Sequence, residues 1–208
     1  MAEKTNKLKA RLPRGLADRG AAEIAATVFC QNATLVSFGG GVMTTRSLLD
    51  YQITQGELRE ARVRIPAGQR LLRVEGDAIR TWQVEEDGAT QLLVVELLKG
   101  VSPGYRLTLE TEKAVEKLPD TFTLETPHAL EVKRETGFVA LSGSDELGLT
   151  VETARGLQKV DTAEFLKVTA QTNALASGRG LRLAEPGSRF RTAFRVRVES
   201  DDTTADMS

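Results

Sequence analysis

Apolar and polar residues alternate at every second position over many short runs, beginning near residue 27. In one run the apolar positions are Ala61, Val63 and Ile65. Between them stand Arg62 and Arg64, which belong to the other set of positions. A period of two places the two sets on opposite faces of a β-strand. The run therefore predicts an antiparallel strand with one buried and one solvated face.

Turn residues separate these runs about every 8–12 residues, a spacing typical of β-sandwiches and barrels. The clearest turns are Gly39–Gly41, Pro66–Gly68 and Asp87-Gly88, and residues 160–167 favour a single helical turn. Ten or eleven short strands result, with no repeating strand–helix unit. The pattern predicts an all-β fold, an antiparallel β-sandwich made of one large or two small modules. The single tryptophan, Trp82, is expected to anchor its core.

Both ends of the chain depart from the alternating pattern. Residues 1–27 carry six Lys or Arg against three Asp or Glu and predict a basic arm or short helix. Residues 28–118 are expected to form a β-sandwich module, and residues 119–199 a second module or a continuation of the same sandwich. Residues 200–208 are small and acidic, which predicts a disordered tail.

Composition excludes several classes of function. The net charge is −1, with 28 Lys and Arg against 29 Asp and Glu, so no overall field attracts nucleic acid or an anionic membrane. Aromatic residues make up only 5%, too few for the stacking surfaces that bind single strands. No apolar run approaches the roughly 18 residues of a membrane span. We expect no sequence-specific nucleic-acid binding and no transmembrane segment.

Residues suited to catalysis or metal binding are scarce. Cys30 is the only cysteine and His128 the only histidine, so the chain cannot assemble a His/Cys zinc cluster. A triad through His128 would recruit Ser142, Ser144 or Asp145, but no Gly-x-Ser-x-Gly elbow is present. We interpret His128 as a turn residue and predict no catalytic residue, metal site or cofactor.

The candidate binding surface is a row of four arginines near the end of the chain. They alternate with apolar residues and are Arg189, Arg191, Arg195 and Arg197. Four guanidinium groups on one strand face can bind phosphate, an anionic polymer or an acidic partner. Basic residues on an edge strand also prevent aggregation, which is the interpretation we favour. The two arginines of the run at 61–65 would extend this face if the strands lay side by side.

The segment 4–26, KTNKLKARLPRGLADRGAAEIAA, resembles only the N-terminus of bacterial histidyl-tRNA synthetases, where a Pro-Arg-Gly turn precedes the first helix. The resemblance implies an aminoacylating enzyme whose catalytic motifs follow downstream. None of those motifs follows here, so no catalytic residue is carried over from that family. A synthetase-derived fragment without its catalytic core is one alternative for this chain.

A longer part of the chain, within about 28–199, is similar to a β-rich module of large, uncharacterised envelope-associated proteins of bacteria such as planctomycetes, verrucomicrobia and acidobacteria. The similarity rests on RVRIPAG, LLRVEGDAIRTW, LLKGVSPGYRLTLE and GLQKVDTAEF. It implies an extracytoplasmic location within a longer chain. The sequence as given shows no secretory signal, which is expected of a cytoplasmic protein, and the compartment stays open.

These observations together predict a non-enzymatic structural or interaction module of a larger bacterial envelope-associated protein. Its sheet edges or loops would contact a protein partner by main-chain pairing or charge matching. The alternatives are the synthetase-derived fragment and an anion-binding β module that uses the arginine row.

Overall fold

A computed structural model describes residues 25–115, 123–143, 157–165, 167 and 190–199. The basic leader up to residue 24, a run at 147–154 and the acidic tail at 200–208 lie outside these residues. The described strands are β1 (Thr27–Gly39), β2 (Val42–Gln55), β3 (Leu58–Ile65), β4 (Arg70–Gly76), β5 (Ile79–Asp87), β6 (Thr90–Val101), β7 (Gly104–Ala114), β8 (His128–Ala129), β9 (Arg134–Gly143), β10 (Leu157–Val160) and β11 (Phe190–Glu199).

These strands form two sheets in a sandwich-like arrangement, which confirms the predicted all-β, antiparallel-rich fold. The larger sheet has the order β10-β11-β9-β1-β2-β7-β4, and the smaller has the order β5-β6-β3-β8. Strands β8 and β9 pair with β3 and β1, respectively. The division of the chain at residue 118 stays a prediction, because residues 116–122 and 144–156 lie outside the described part.

The predicted turns fall between the observed strands. Gly40 and Gly41 separate β1 from β2 and both have positive φ, the conformation that a tight two-residue hairpin requires. Gly88, which follows β5, also has positive φ. The turn predicted at Pro66–Gly68 lies between β3 and β4. Turn chemistry in the sequence was therefore a sound guide to where strands end.

One strand pair departs from the antiparallel rule. Strand β9 runs parallel to β1, with Asn32 paired to Gly137 and Val36 paired to Leu141. Parallel neighbours need a long connection, and here β2 through β8 separate the two strands in sequence. Alternation within a strand says nothing about the direction of its neighbour, so the sequence could not distinguish this pairing.

The main core lies between the two sheets. The predicted inward residues of β3, Ala61, Val63 and Ile65, are buried there as expected. The other buried members of this cluster are Val28, Cys30, Leu49, Tyr51, Ile53, Leu58, Leu93, Val95, Leu97, Tyr105, Leu107, Leu109, Ala129 and Val132. Burial of this apolar surface is the main term that holds the sheets together.

A short helical turn at 162–165, as predicted, contributes to a second cluster. Its Phe165 is fully buried and packs with Ala33, Leu35, Leu48 and Ala140 of the larger sheet. A third cluster brings together Val36, Phe38, Met43, Val139 and Leu141 at the hairpin end of β1 and β2. The larger sheet therefore has apolar packing well beyond the area that faces the smaller one.

Candidate interaction surface

Strand β5 lies at one end of the smaller sheet and pairs only with β6 among the described strands. Its outer edge therefore presents main-chain N–H and C=O groups that no described strand satisfies. An edge of this kind is a template on which another strand can add. At nine residues, β5 is long for an edge strand.

Side chains of β5 are exposed on both faces of the sheet, from Thr81 to Glu86. Trp82 is 46% exposed and Val84 is 37% exposed. Directly opposite them on β6 stand Val95 and Leu93, which are fully buried in the core. Because directly opposed residues share a face, Trp82 and Val84 continue the core-facing side of the sheet past the point where the core ends.

The expectation that Trp82 anchors the core was wrong. Trp82 does share a face with core residues of β6, which is the orientation that a core anchor requires. Its strand, however, lies at the end of the sheet, where the larger sheet does not cover it. A period-two pattern identifies the inward face of a strand and gives no information on whether another layer covers that face.

Few of the usual edge defences are present in β5. The strand contains no proline and no lysine, the residues that most often protect edges. A bulge between Ile79 and Thr81, in which Arg80 is the additional residue, lies at its first end. Glu85 and Glu86 lie near its other end. The stretch from Thr81 to Glu85 is therefore regular, open and suited to pairing.

The neighbouring strand β4 forms the end of the larger sheet. Only Asp77 and Ala78 separate β4 from β5, so the two open edges are adjacent. Leu72 in β4 is also exposed, at 45%. We call β5 with Trp82 and Val84 the open edge of the sandwich.

A buried polar network joins the two sheets at a different place. Glu135 of β9 is only 3% exposed. Its Oε1 accepts a hydrogen bond from Asn32 Nδ2 at 2.9 Å and lies 3.0 Å from His128 Nδ1. Its Oε2 accepts a bond from the Ala129 backbone N–H at 2.6 Å. Since His128 and Ala129 form β8, the carboxylate fixes β8 of the smaller sheet to the larger sheet.

The network continues through hydroxyl groups. Thr34 Oγ1 donates to Asn32 Oδ1 at 3.0 Å and lies 2.9 Å from Ser47 Oγ. The chain from Ser47 to His128 has the residue types of a catalytic relay. A nucleophile must meet its substrate, however, and both Thr34 and Ser47 are buried. The arrangement satisfies buried polar groups in the way that structural networks do.

His128 differs from the sequence interpretation in two respects. It lies in strand β8, paired with Arg64, and not in a turn. Its neighbour is Glu135 and not Ser142, which lies seven residues further along β9, about 23 Å at the usual rise per residue. The other two candidates, Ser144 and Asp145, lie outside the described residues. No sequence pattern marks Glu135, because its partners are about a hundred residues away or on another strand.

Three further ionisable groups lie in the core near this network. Burial raises the pKa of the Cys30 thiol, and the nearby carboxylates of Glu135 and Asp50 raise it further. Burial also raises the pKa of Tyr51. The pKa of Tyr105 rises to about 12, mainly through burial and then through Asp77. All three groups are held in their neutral forms, which does not favour nucleophilic chemistry at Cys30.

A cavity of about 240 Å³ opens beside Tyr51. Apolar residues such as Val28 and Leu58 line it together with Glu57, Arg59, Glu60 and Glu131. Arg59 pairs with Glu57 at 3.0 Å, and Arg62 pairs with Glu60 and Glu131. The charged lining residues are therefore already engaged in ion pairs.

The arginine row stays a prediction. Arg189 lies outside the described residues, and for Arg191, Arg195 and Arg197 the structure describes the backbone alone. Their strand β11 pairs with both β9 and β10, so it is not an edge strand and the edge-protection interpretation was wrong. Nor do Arg62 and Arg64 extend the row, because their strand β3 belongs to the other sheet.

Within the described ranges, no three His, Cys, Asp or Glu side chains come together as a metal-binding group. Among those same residues, no helix is long and apolar enough to cross a membrane.

Neither a family model nor a curated protein matches this chain. Among solved structures, leukotriene A4 hydrolase from Saccharomyces cerevisiae is 8% identical over 66% of this chain and 26% of its own, with a TM-score of 0.40. A non-cellulosomal cohesin from Archaeoglobus fulgidus is 11% identical over 58% of this chain and 94% of its own, with a TM-score of 0.34. An M1 zinc metallopeptidase from Deinococcus radiodurans is 12% identical over 82% of this chain and 39% of its own, with a TM-score of 0.39.

This chain therefore spans about a quarter of the length of the hydrolase. The identities and TM-scores are too low for any of these proteins to bear on function.

Proposed function

We propose that this chain is a non-enzymatic interaction module of a larger bacterial envelope-associated protein and that it binds a protein partner at the open edge. The observation that carries the proposal is the combination of an unpaired strand edge with two exposed apolar side chains. Trp82 and Val84 face the same way as the core residues of β6 and lack their cover.

Strand addition at β5 explains both features together. An added strand would satisfy the outward N–H and C=O groups of β5 by main-chain hydrogen bonds. Side chains on that strand would at the same time cover Trp82 and Val84. Aromatic residues of this kind are common anchors of protein interfaces, since a large ring buries much area at a small entropic cost.

The envelope context rests on the resemblance of residues 57–119 to modules of large envelope proteins. That segment contains β3 through β7 and thus the whole open edge. An open sheet edge is a place where a strand of a neighbouring module or another chain can add. An edge that stays open within one module is therefore the expected place of contact.

The test is a photo-activated cross-linking residue placed at Trp82 of the full chain in the cells that produce it. The matched control is the same residue at Gln52, which is exposed but lies on β2, a strand paired on both sides. We expect a covalent protein adduct at position 82 and none at position 52. A folded protein that forms no adduct at position 82 contradicts the proposal.

A further inference from the structure

Strand β5 carries an apolar residue on each side of Gln83 and opposite charges towards its two ends. Trp82 stands on one side of Gln83 and Val84 on the other, with Arg80 towards one end of the strand and Glu86 towards the other. We propose that the partner of the open edge is a second copy of this chain, paired antiparallel through β5 with Gln83 opposite Gln83. This inference rests on the proposed function and names its partner.

The apolar residues match in this register. Trp82 of each copy lies opposite Val84 of the other, on the face that continues the core. Aromatic residues opposite β-branched ones are among the favourable cross-strand pairs. A register centred on Val84 would place Trp82 opposite Glu86, and one centred on Trp82 would place Val84 opposite Arg80. Of these three registers, the one centred on Gln83 places both apolar residues of each copy opposite apolar residues of the other.

Charge selects the antiparallel direction. One end of β5 carries Arg80, while the other carries Glu85 and Glu86. Antiparallel pairing brings the basic end of each copy to the acidic end of the other, and it does so twice because of the two-fold symmetry. Parallel pairing would place like charges side by side, which is unfavourable on a sheet.

The bulge at Arg80 limits how far the pairing extends. Regular pairing covers Thr81–Glu85 of both copies, with Thr81 opposite Glu85 at each end. Arg80 lies just beyond this stretch, and its side chain rather than its backbone reaches the acidic end of the other copy. The Arg80 Nη2 lies 3.5 Å from the Leu98 carbonyl oxygen, a long and exposed contact that association can replace.

The product is a closed, isologous dimer. The two four-stranded sheets join through β5 into one continuous sheet of eight strands, and the symmetry stops further growth at this edge. Two Trp82–Val84 pairs meet near the axis, so the exposed apolar surface of both copies is covered at once. A self-complementary edge thus converts an aggregation risk into a defined contact.

The first experiment is sedimentation velocity on charge-reversed variants of the full chain. Arg80→Glu places an acidic residue at the acidic end of the other copy. The double variant Glu85→Arg/Glu86→Arg places basic residues at the end that carries Arg80 in the other copy. We expect each alone to weaken dimerisation by about tenfold or more. An equal mixture should restore it as a mixed dimer, because every repulsive pair becomes attractive. Unchanged association of both variants, or a mixture that stays as weak as its components, would overturn the inference.

The second experiment fixes the register by disulfide formation. Two cysteines introduced by Gln83→Cys would be directly opposite, within the 4.4–6.8 Å Cα separation that a disulfide accepts. The control Glu85→Cys places its two cysteines about 13 Å apart along the strands. The native Cys30 is buried and should not compete. A covalent dimer with Gln83→Cys alone is expected, and its absence would overturn the register.

The two proposals fail in different ways. An adduct of the position-82 cross-linker with another protein, together with a monomeric Gln83→Cys variant, would keep the interaction module and remove the self-pairing. The absence of both an adduct and a disulfide would remove both. At concentrations where the wild type is monomeric, each variant should retain the wild-type melting temperature, because all the altered side chains are exposed.

Discussion

Trp82 lies directly opposite Val95 on the neighbouring strand, yet 46% of the tryptophan is exposed while the valine is fully buried. Ile79 at the start of β5 still packs against the main core, whereas at Trp82 and Val84 the core ends between β6 and β5. The last strand of the smaller sheet extends beyond the cover of the larger one with its core-facing side open. The open edge follows from this mismatch between the two layers.

Replacing Trp82 by alanine should cost less stability than truncating a core residue. A tryptophan in the core would cost about 3–5 kcal/mol on truncation, and the half-exposed ring should cost about 1–2 kcal/mol. Leu93→Ala is the matched control, since Leu93 is fully buried on the same face of the next strand and should cost about 2–5 kcal/mol. Urea unfolding measures both. Equal losses would contradict the exposed position of Trp82.

Removing the carboxylate of Glu135 should be strongly destabilising. Glu135→Ala leaves the Ala129 N–H and one N–H of the Asn32 amide without their acceptor in a buried site, while the amide still donates to the Pro127 carbonyl, and the expected cost is about 2–3 kcal/mol. The control is Glu57→Ala, since Glu57 is exposed, pairs with Arg59 and should contribute less than about 1 kcal/mol. Chemical unfolding of the two variants tests this. A loss no larger than that of Glu57→Ala would show that the network does not join the sheets.

Alkaline pH should destabilise the fold. The pKa of Tyr105 rises from 10.0 to about 12 on folding, and the pKa of Cys30 and of Tyr51 also rises. A raised pKa means that the folded state holds its proton longer, so this stability is complete below the unfolded pKa and is lost as pH rises through the folded one. The melting temperature should fall between about pH 9 and pH 12.

Tyr105→Phe isolates one of these contributions. The Tyr105 hydroxyl is buried without a hydrogen-bond partner in the described part of the chain, so its removal should cost little near neutral pH. Between about pH 10 and pH 12, the melting temperature of the variant should fall less than that of the wild type. Identical dependence of the melting temperature on pH in the two proteins would show that ionisation of Tyr105 does not contribute to the alkaline loss of stability.

The arginine row has its own test. If the side chains of β11 bind anions, the full chain should be retained on heparin resin and released by salt, and Arg191→Glu/Arg195→Glu should abolish the retention. Arg62→Glu is the control on the other sheet, where the guanidinium already pairs with Glu60 and Glu131. Retention that survives the double substitution would remove the anion-binding alternative.

Local features of this fold could be predicted from the sequence. The alternation of β3, the positive-φ glycines of the first hairpin and the helical turn that contains Phe165 all depend on residues near one another in the chain. The parallel pairing of β1 with β9 and the contact of Asn32 with Glu135 depend on residues about a hundred positions apart. The alternation of apolar and polar residues along the chain does not predict contacts between such distant residues.

The candidate surface was missed for the same reason. Trp82 lies on the core-facing side of β5, as a core anchor would. The order of the strands, however, decides whether the larger sheet covers that side. The arginine row is the candidate binding surface in the sequence because charged residues can be recognised without knowing the order of the strands. An open edge is visible only once the sheets are assembled.

Amide hydrogen exchange on the full chain at low and high protein concentration tests the open edge most directly. In dilute solution the outward amides of Thr81–Glu85 should exchange rapidly, while those of β1, which is paired on both sides, stay protected. At high concentration the β5 amides should become protected and those of β1 should not change. Protection of the β5 amides that is already complete in dilute solution, or absent at every concentration, would contradict pairing at this edge.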